Sequence, residues 1–134
     1  MPKKKRLVTN RQFKYVLDRN IRASNGLLKL YAAENDFGYP RLGVSVGKSC
    51  GSAVIRNRLK RLLREAFRRN QHQIPQQFDY LLMLSPEFSK KLKKNTKGKE
   101  IVKRLKFQDI EASFLKLVEH ITDKYAKIKG RATQ

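Results

Sequence analysis

Residues 48–69 read KSCGSAVIRNRLKRLLREAFRR, and the rest of the chain is arranged around them. Ile55, Leu59, Leu62, Leu63, Ala66 and Phe67 recur at helical spacing and, at about 100° per residue, fall in one stripe. Asn57, Lys60, Arg61, Arg64 and Arg68 fall on the opposite face, with Arg56 and Arg58 at its flanks. Ser52 is placed to cap the helix, which Ala53 and Val54 open. With Arg69, seven basic residues lie between positions 56 and 69, and Glu65 is the only acid among them. A solvated surface helix would interleave acids as i,i+4 partners. Here repulsion along the basic face goes uncompensated until a polyanion arrives. Arginine dominates the row, and its planar guanidinium grips phosphate with two prongs and stays charged at working pH.

The composition points the same way. Lys and Arg total 32 against 11 acids in 134 residues, a net charge of +21, and the sequence pI is about 10.5. Nucleic acid is the first partner this implies and an anionic membrane surface the second. The length suits one domain, expected at 9–128, between a basic flexible arm at 1–8 and a tail at 129–134. No apolar run approaches the roughly 18 residues of a membrane span. The basic start has no apolar stretch behind it, so no signal peptide is expected. The single cysteine, Cys50, allows no internal disulfide framework, fits a reducing cytosol and reads as a small loop residue.

In the arm, PKKKR fits a nuclear import signal and also a phosphate-contacting segment, and the second suits an RNA-binding chain better. Thr9 and Gln12 have the spacing of a capping box. Phe13, Val16 and Leu17 follow at i, i+3 and i+4, which predicts a short helix over 10–19 with a core-facing stripe. Residues 27–34, LLKLYAAE, read as a strand with Leu28, Leu30 and Ala32 on one face and Leu27, Lys29, Tyr31 and Ala33 on a partly open one. NDFGYP at 35–40 has turn composition. RLGVSVG at 41–47 alternates Leu42, Val44 and Val46 inward with small residues outward, leaving a shallow trough. These two strands are expected to pair as an antiparallel hairpin. After a connector at 71–77, FDYLLML at 78–84 reads as a central strand. The Lys-rich segment 89–106 reads as a loop. From Phe107 to about Ile128, an apolar repeat at 3 and 4 marks an amphipathic helix that Gly130 is expected to stop. The order helix, strand, strand, helix, strand, helix gives an α+β fold with a small mixed sheet.

Catalytic chemistry is not apparent. His72 and His120 have no sequence neighbour suggesting a general base or metal site, no acids pair at metal-ligand spacing, and no phosphate-cradling glycine loop occurs. A self-sufficient nuclease is therefore disfavoured.

The string from Lys48 to Arg64 closely resembles the signature of the bacterial ribonuclease P protein subunit. Its elements are the Ala53-Val54 pair, the Arg56-Asn57-Arg58 triplet, Lys60-Arg61, and Arg64 one turn later. A first helix bearing Phe13, the strand Arg-Leu-Gly-Val-Ser-Val from Arg41, the apolar strand bearing Asp79 and a final amphipathic helix agree with it, so the resemblance covers roughly 7–125. It implies a fold like the second domain of ribosomal protein S5, α-β-β-α-β-α with a left-handed βαβ crossover, where general handedness rules lead to a right-handed one. It implies a cytoplasmic ribonucleoprotein in which the RNA subunit is the ribozyme that removes the 5′ leader of precursor tRNA. The protein binds ribonuclease P RNA, one copy per catalytic RNA, and the leader, and it strengthens use of Mg²⁺ held mainly by the RNA.

Lys48, Arg56, Asn57, Arg58, Lys60, Arg61, Arg64 and Arg68 are the RNA-binding residues so implied, with Asn57 open to a bracing role instead. Phe13, Leu17, Lys29 and Tyr31 would line the leader groove, which makes Phe13 and Leu17 partly exposed and offers the Tyr31 ring to an unpaired base, a contact worth about 1–3 kcal/mol. The family often has an aromatic where Leu17 stands, and segment 89–106 is long, either a disordered loop or an extra RNA contact. A general RNA-binding or ribosomal-type protein is the alternative reading.

Overall fold

A computed structural model describes residues 3–94 and 98–132. Helix α1 spans Asn10–Arg19, strands β1 Ile21–Ser24, β2 Leu28–Glu34 and β3 Arg41–Ser45, helix α2 Ala53–Asn70, strand β4 Phe78–Leu84, and helices α3 Pro86–Lys94, α4 Gly98–Arg104 and α5 Phe107–Ala132. Short 3-10 turns lie at Lys3–Lys5 and Lys48–Cys50. The capping box forms: the Gln12 amide N–H donates to Thr9 Oγ1 at 3.1 Å, and the Thr9 N–H donates to Gln12 Oε1 at 2.9 Å. Ser52 caps α2.

Among the described residues the sheet has four strands in the order β1-β2-β4-β3. β4 runs antiparallel to β2 and parallel to β3, so α2 is the crossover between two adjacent parallel strands. The hairpin expected between β2 and β3 is thereby corrected. β4 buries almost every side chain and needs a neighbour on each edge, so it inserts between them. β2 pairs instead with β1, a four-residue strand absent from the expected order. Their turn is held by Asn25 Oδ1, which accepts from the N–H groups of Leu27 and Leu28 at 3.0 and 2.8 Å.

The two sheet faces bury different partners. Leu28, Leu30, Ala32, Leu42, Tyr80 and Leu82 meet Leu59, Leu63 and Phe67 of α2 and Ile110, Phe114 and Leu117 of α5. Tyr31, Ala33 and Leu81 on the other face meet Val16 of α1 and Leu7, with Phe13 and Met83 packed alongside. Fully burying one such aliphatic or aromatic side chain contributes about 1.5–3 kcal/mol, so both faces are firmly covered where helices lie on them.

Three further expectations are corrected. Segment 89–106 is largely helical: α3 buries Phe88 and Leu92 and α4 buries Val102, enough apolar anchors to fix two short Lys-rich helices; 95–97 lie outside the described residues. Residues 3–8 are docked: the Leu7 N–H donates to the Leu42 carbonyl at 2.9 Å, and Leu7 is 5% exposed. α5 runs through Gly130 to Ala132, so the expected tail is helical as far as it is described.

Candidate nucleic-acid interface

α2 turns its apolar stripe to the core and leaves Asn57, Arg58, Arg61, Arg64 and Arg68 exposed, with Arg56 and Lys60 half-buried. Asn57, Arg61, Arg64 and Arg68 line one hollow of about 350 Å³ together with Glu65 and Arg6. Arg58 faces a neighbouring hollow shared with Val54, Asn57 and Arg61. Among the described residues, Arg58, Arg61 and Arg64 form no ion pair. Glu65 is engaged by Arg68 at 2.5 Å and by Arg69 at 3.2 Å. The hydrogen bond from Arg68 is the main reason its carboxyl is held down at about 2, and the same contact raises the Arg68 guanidinium further. The one acid on the row thus neutralises its distal end and leaves the proximal guanidiniums for a ligand.

The remaining members of the expected set differ in role. Arg56 Nε donates to the Gly51 carbonyl at 3.3 Å, so this guanidinium braces the entry to α2 as well as standing near the row. Gly51 has a φ of +148°, a backbone setting that favours glycine, and the turn it makes brings Lys48 to an exposed place before the helix. Lys48 sits in the 3-10 turn against which the Lys-rich α3 packs. Asn57 lies exposed in the arginine hollow and makes no bracing hydrogen bond among the described residues.

A second surface lies on the α1 face of the sheet. Phe13 is half-buried and Leu17 is 40% exposed. The trough expected over β3 is filled by Phe13: a Cβ at Gly43 would stand 2.8 Å from Phe13 Cε1, so glycine is what lets the ring lie on the strand. Tyr31 departs from expectation. It is 9% exposed, because α1 crosses its strand face, and the Lys29 ammonium lies 5.1 Å from its ring centroid. Its ring is a wall beneath a lysine and not an open stacking platform. Burial pushes the phenol up, but hydrogen bonding to Lys29 and Arg22 and their charges outweigh this and hold it below its usual range. Lys29, Met83 and Ser45 continue this face beyond α1 with partly open side chains.

Sequence reasoning put Arg6 in a flexible phosphate-contacting arm and gave it no docking place, whereas it lines both the arginine hollow and a hollow of about 280 Å³ beside Phe13 and Gly43. A basic run at a chain end carries no signal for where it docks. The one available clue was Leu7, an apolar residue next to the run.

Among the described residues, no three His, Cys, Asp or Glu side chains gather as a metal site, and no helix is long and apolar enough to cross a membrane. The arrangement suits a polyanion: a rigid helix offering a row of guanidiniums, next to a groove with an apolar floor.

Comparison with known proteins agrees. A family profile described as Ribonuclease P matches residues 1–122. The chain is 41% identical over 75 residues to the ribonuclease P protein component of Photorhabdus laumondii, covering 55% of this chain and 63% of that protein. It is 46% identical over 68 residues to that of Clostridium botulinum strain Okra, covering 51% and 61%. The matched stretch therefore spans about three-fifths of these curated relatives. The solved ribonuclease P protein of Thermotoga maritima superposes with a TM-score of 0.69 at 30% identity, over 83% of this chain and 92% of that one. That of Staphylococcus aureus, at 23% identity, shares the fold with a TM-score of 0.67, covering 86% and 93%. With the arginine helix, the parallel crossover and the match over residues 1–122 in agreement, the chain belongs to the ribonuclease P protein family.

Proposed function

We propose that this chain is the protein subunit of a ribonuclease P ribonucleoprotein. It binds the catalytic RNA through Lys48, Arg56, Asn57, Arg58, Lys60, Arg61, Arg64 and Arg68. It guides the 5′ leader of precursor tRNA along the surface of Phe13, Leu17, Lys29 and Tyr31, so that the RNA subunit cleaves endonucleolytically at the mature tRNA 5′ end. One protein serves one catalytic RNA, in the cytoplasm.

The observation that carries this reading is the arginine hollow on α2. Arg61 and Arg64 converge there with Arg6, while the nearby Glu65 is occupied by Arg68 and Arg69. Such a charge cluster is stabilised by phosphates, and phosphate contacts position a subunit without reading sequence. The protein's side chains are assigned no bond-breaking role. Mg²⁺ is assigned mainly to the RNA, and Asp79 is committed to Arg41.

The test is leader cleavage at low Mg²⁺ by bacterial ribonuclease P RNA, with and without this protein. Cleavage that needs both supports the proposal. Cleavage by the protein alone would overturn the assignment of chemistry to RNA. RNA binding without stimulation would favour a general RNA-binding role.

A further inference from the structure

The two short helices after β4 are firmly attached. Buried Ser85 caps α3: the Phe88 N–H donates to Ser85 Oγ at 3.1 Å, and that hydroxyl donates to the Gly26 carbonyl at 3.0 Å, which pins the helix start to the turn between β1 and β2. Phe88 and Leu92 of α3 and Val102 of α4 are buried in the same core cluster as Leu59 and Leu63 of α2. α3 packs on the turn that holds Lys48, and α4 packs on α2 itself. Both helices therefore belong to the α2 side of the sheet, whereas α1 covers the other face.

What these anchors hold outward is mostly cationic. α3 exposes Lys90, Lys91, Lys93 and Lys94, and α4 exposes Lys99 and Lys103. At about 100° per residue, Lys90 and Lys94 stand opposite the buried Phe88 and Leu92 and so face away from the core. Each helix carries one acid, Glu87 and Glu100. Among the described residues neither acid forms an ion pair, and nor does any of the six lysines. The helix dipole favours cations in a last turn, which suits Lys94 and Lys103, but it disfavours Lys99 in the first turn of α4. Phe88 is the one aromatic residue of the two helices, and it is 8% exposed. The surface thus offers no ring for a base to stack on, and lysine meets phosphate as a point charge. Its chemistry fits backbone phosphates alone. Attachment to the α2 layer, on the opposite side of the sheet from α1, assigns those phosphates to the RNA that α2 binds.

We propose that α3 and α4 form a second electrostatic contact with ribonuclease P RNA, in which Lys90, Lys94, Lys99 and Lys103 meet backbone phosphates beyond those engaged by the arginine row. This rests on the functional reading above and adds to it a separate surface, which gives the Lys-rich segment after β4 a role.

The experiment measures binding of the complete protein to ribonuclease P RNA across a salt series. The variants are Lys90→Gln with Lys94→Gln on α3, Lys99→Gln with Lys103→Gln on α4, and a charge-matched control, Lys116→Gln with Lys127→Gln, at exposed positions of α5. The α3 and α4 pairs are each expected to weaken binding about fivefold or more and to lower the salt slope by roughly 1 per lysine, while the control changes affinity less than twofold. Arginine in place of the same four lysines should retain wild-type affinity, because the charge is kept. Equal losses for all three pairs would reduce the effect to net charge and overturn the site. A loss seen only when mature tRNA binds the assembled complex would move the surface to the substrate and overturn the assignment to the catalytic RNA. Arg61→Gln is measured in parallel. Weakened binding there with unchanged lysine pairs removes the α3–α4 contact alone, whereas unchanged binding in every variant removes the underlying interface as well.

Discussion

Asp79 lies inside β4 with its side chain 3% exposed, next to Arg41 at 2.6 Å. Arg41 Nε and the Asn35 side-chain amide both donate to its Oδ1 at 2.8 Å, and the Arg41 guanidinium is raised by the pairing. Arg41 in turn stacks 4.2 Å from the Phe37 ring centroid. Buried pairs of this kind add little over an apolar pair, but removing one partner strands a charge at a cost of about 3–5 kcal/mol. Arg41→Ala is therefore expected to lose that much stability in urea denaturation, and a loss under about 1 kcal/mol would show that the Asp79 carboxylate reaches water instead. The partners are 38 residues apart in sequence, so their link is readable only once β3 and β4 are known to be neighbours. Glu65 gives the opposite case, an exposed acid held by local partners. Its carboxyl is depressed to about 2, below an ordinary value of about 4.3. Its ion pairs with Arg68 and Arg69 are thus in full force above the ordinary value and are lost as pH falls toward about 2. Carbon-13 NMR of the Glu65 carboxyl should show that low midpoint, and a midpoint near 4.3 would mean that the three side chains are not held together in solution.

Elements whose evidence is local were legible in the sequence. The capping box at Thr9 and the 3,4 repeat of Phe13, Val16 and Leu17 mark α1 over its observed span, and the run FDYLLML marks β4 without error. The arginine stripe fixes α2 and its outward face. Pairing was not legible. β1 is four residues long with two apolar positions, too short for a periodic signal, and β2–β3 adjacency in sequence suggested a hairpin that β4 pre-empts. Nor was Tyr31's burial legible, since it depends on where α1 crosses the sheet. α3 and α4 were hidden because lysine is compatible with loop and helix alike, and Phe88, Leu92 and Val102 are sparse anchors. The cap has a consequence for the proposed leader surface, because α1 carries Phe13 and Leu17. Thr9→Ala removes the acceptor for the Gln12 N–H and is expected to cost about 1 kcal/mol in chemical denaturation. A precursor-affinity loss beyond that seen with ribonuclease P RNA alone would tie this helix end to leader binding, and equal losses would separate the two.

At the scale of the whole molecule, 32 basic residues face 11 acids, and several acids are spent within the fold. Asp18 pairs with Lys14, Glu34 with Arg19, Asp79 with Arg41, and Glu65 with Arg68 and Arg69. These pairs quiet the α1 end of the molecule and the far end of α2, while Arg58, Arg61 and Arg64 keep their charge on the proposed RNA face. Folding therefore concentrates positive charge, and the folded state repels itself more strongly there than an expanded chain does. Salt should then act in opposite directions on stability and on binding. Raising NaCl from 50 to 200 mM shortens the screening length to below about 10 Å and relieves the repulsion, so the melting temperature of the free protein is expected to rise. The same change makes counterion release less favourable. If 6–10 phosphates are neutralised, affinity for ribonuclease P RNA falls by about 10³–10⁵. Calorimetry of the free protein and filter binding across the same salt series check both arms. A melting temperature that falls with salt would mean that surface pairs such as Arg19–Glu34 outweigh the repulsion. Affinity independent of salt would move the binding energy from the arginine row to base contacts and shape. Sulfate compared with chloride at equal ionic strength separates general screening from occupancy of the hollow bounded by Arg6, Arg61 and Arg64: screening predicts equal stabilisation, whereas a divalent oxyanion seated among guanidiniums stabilises more and saturates.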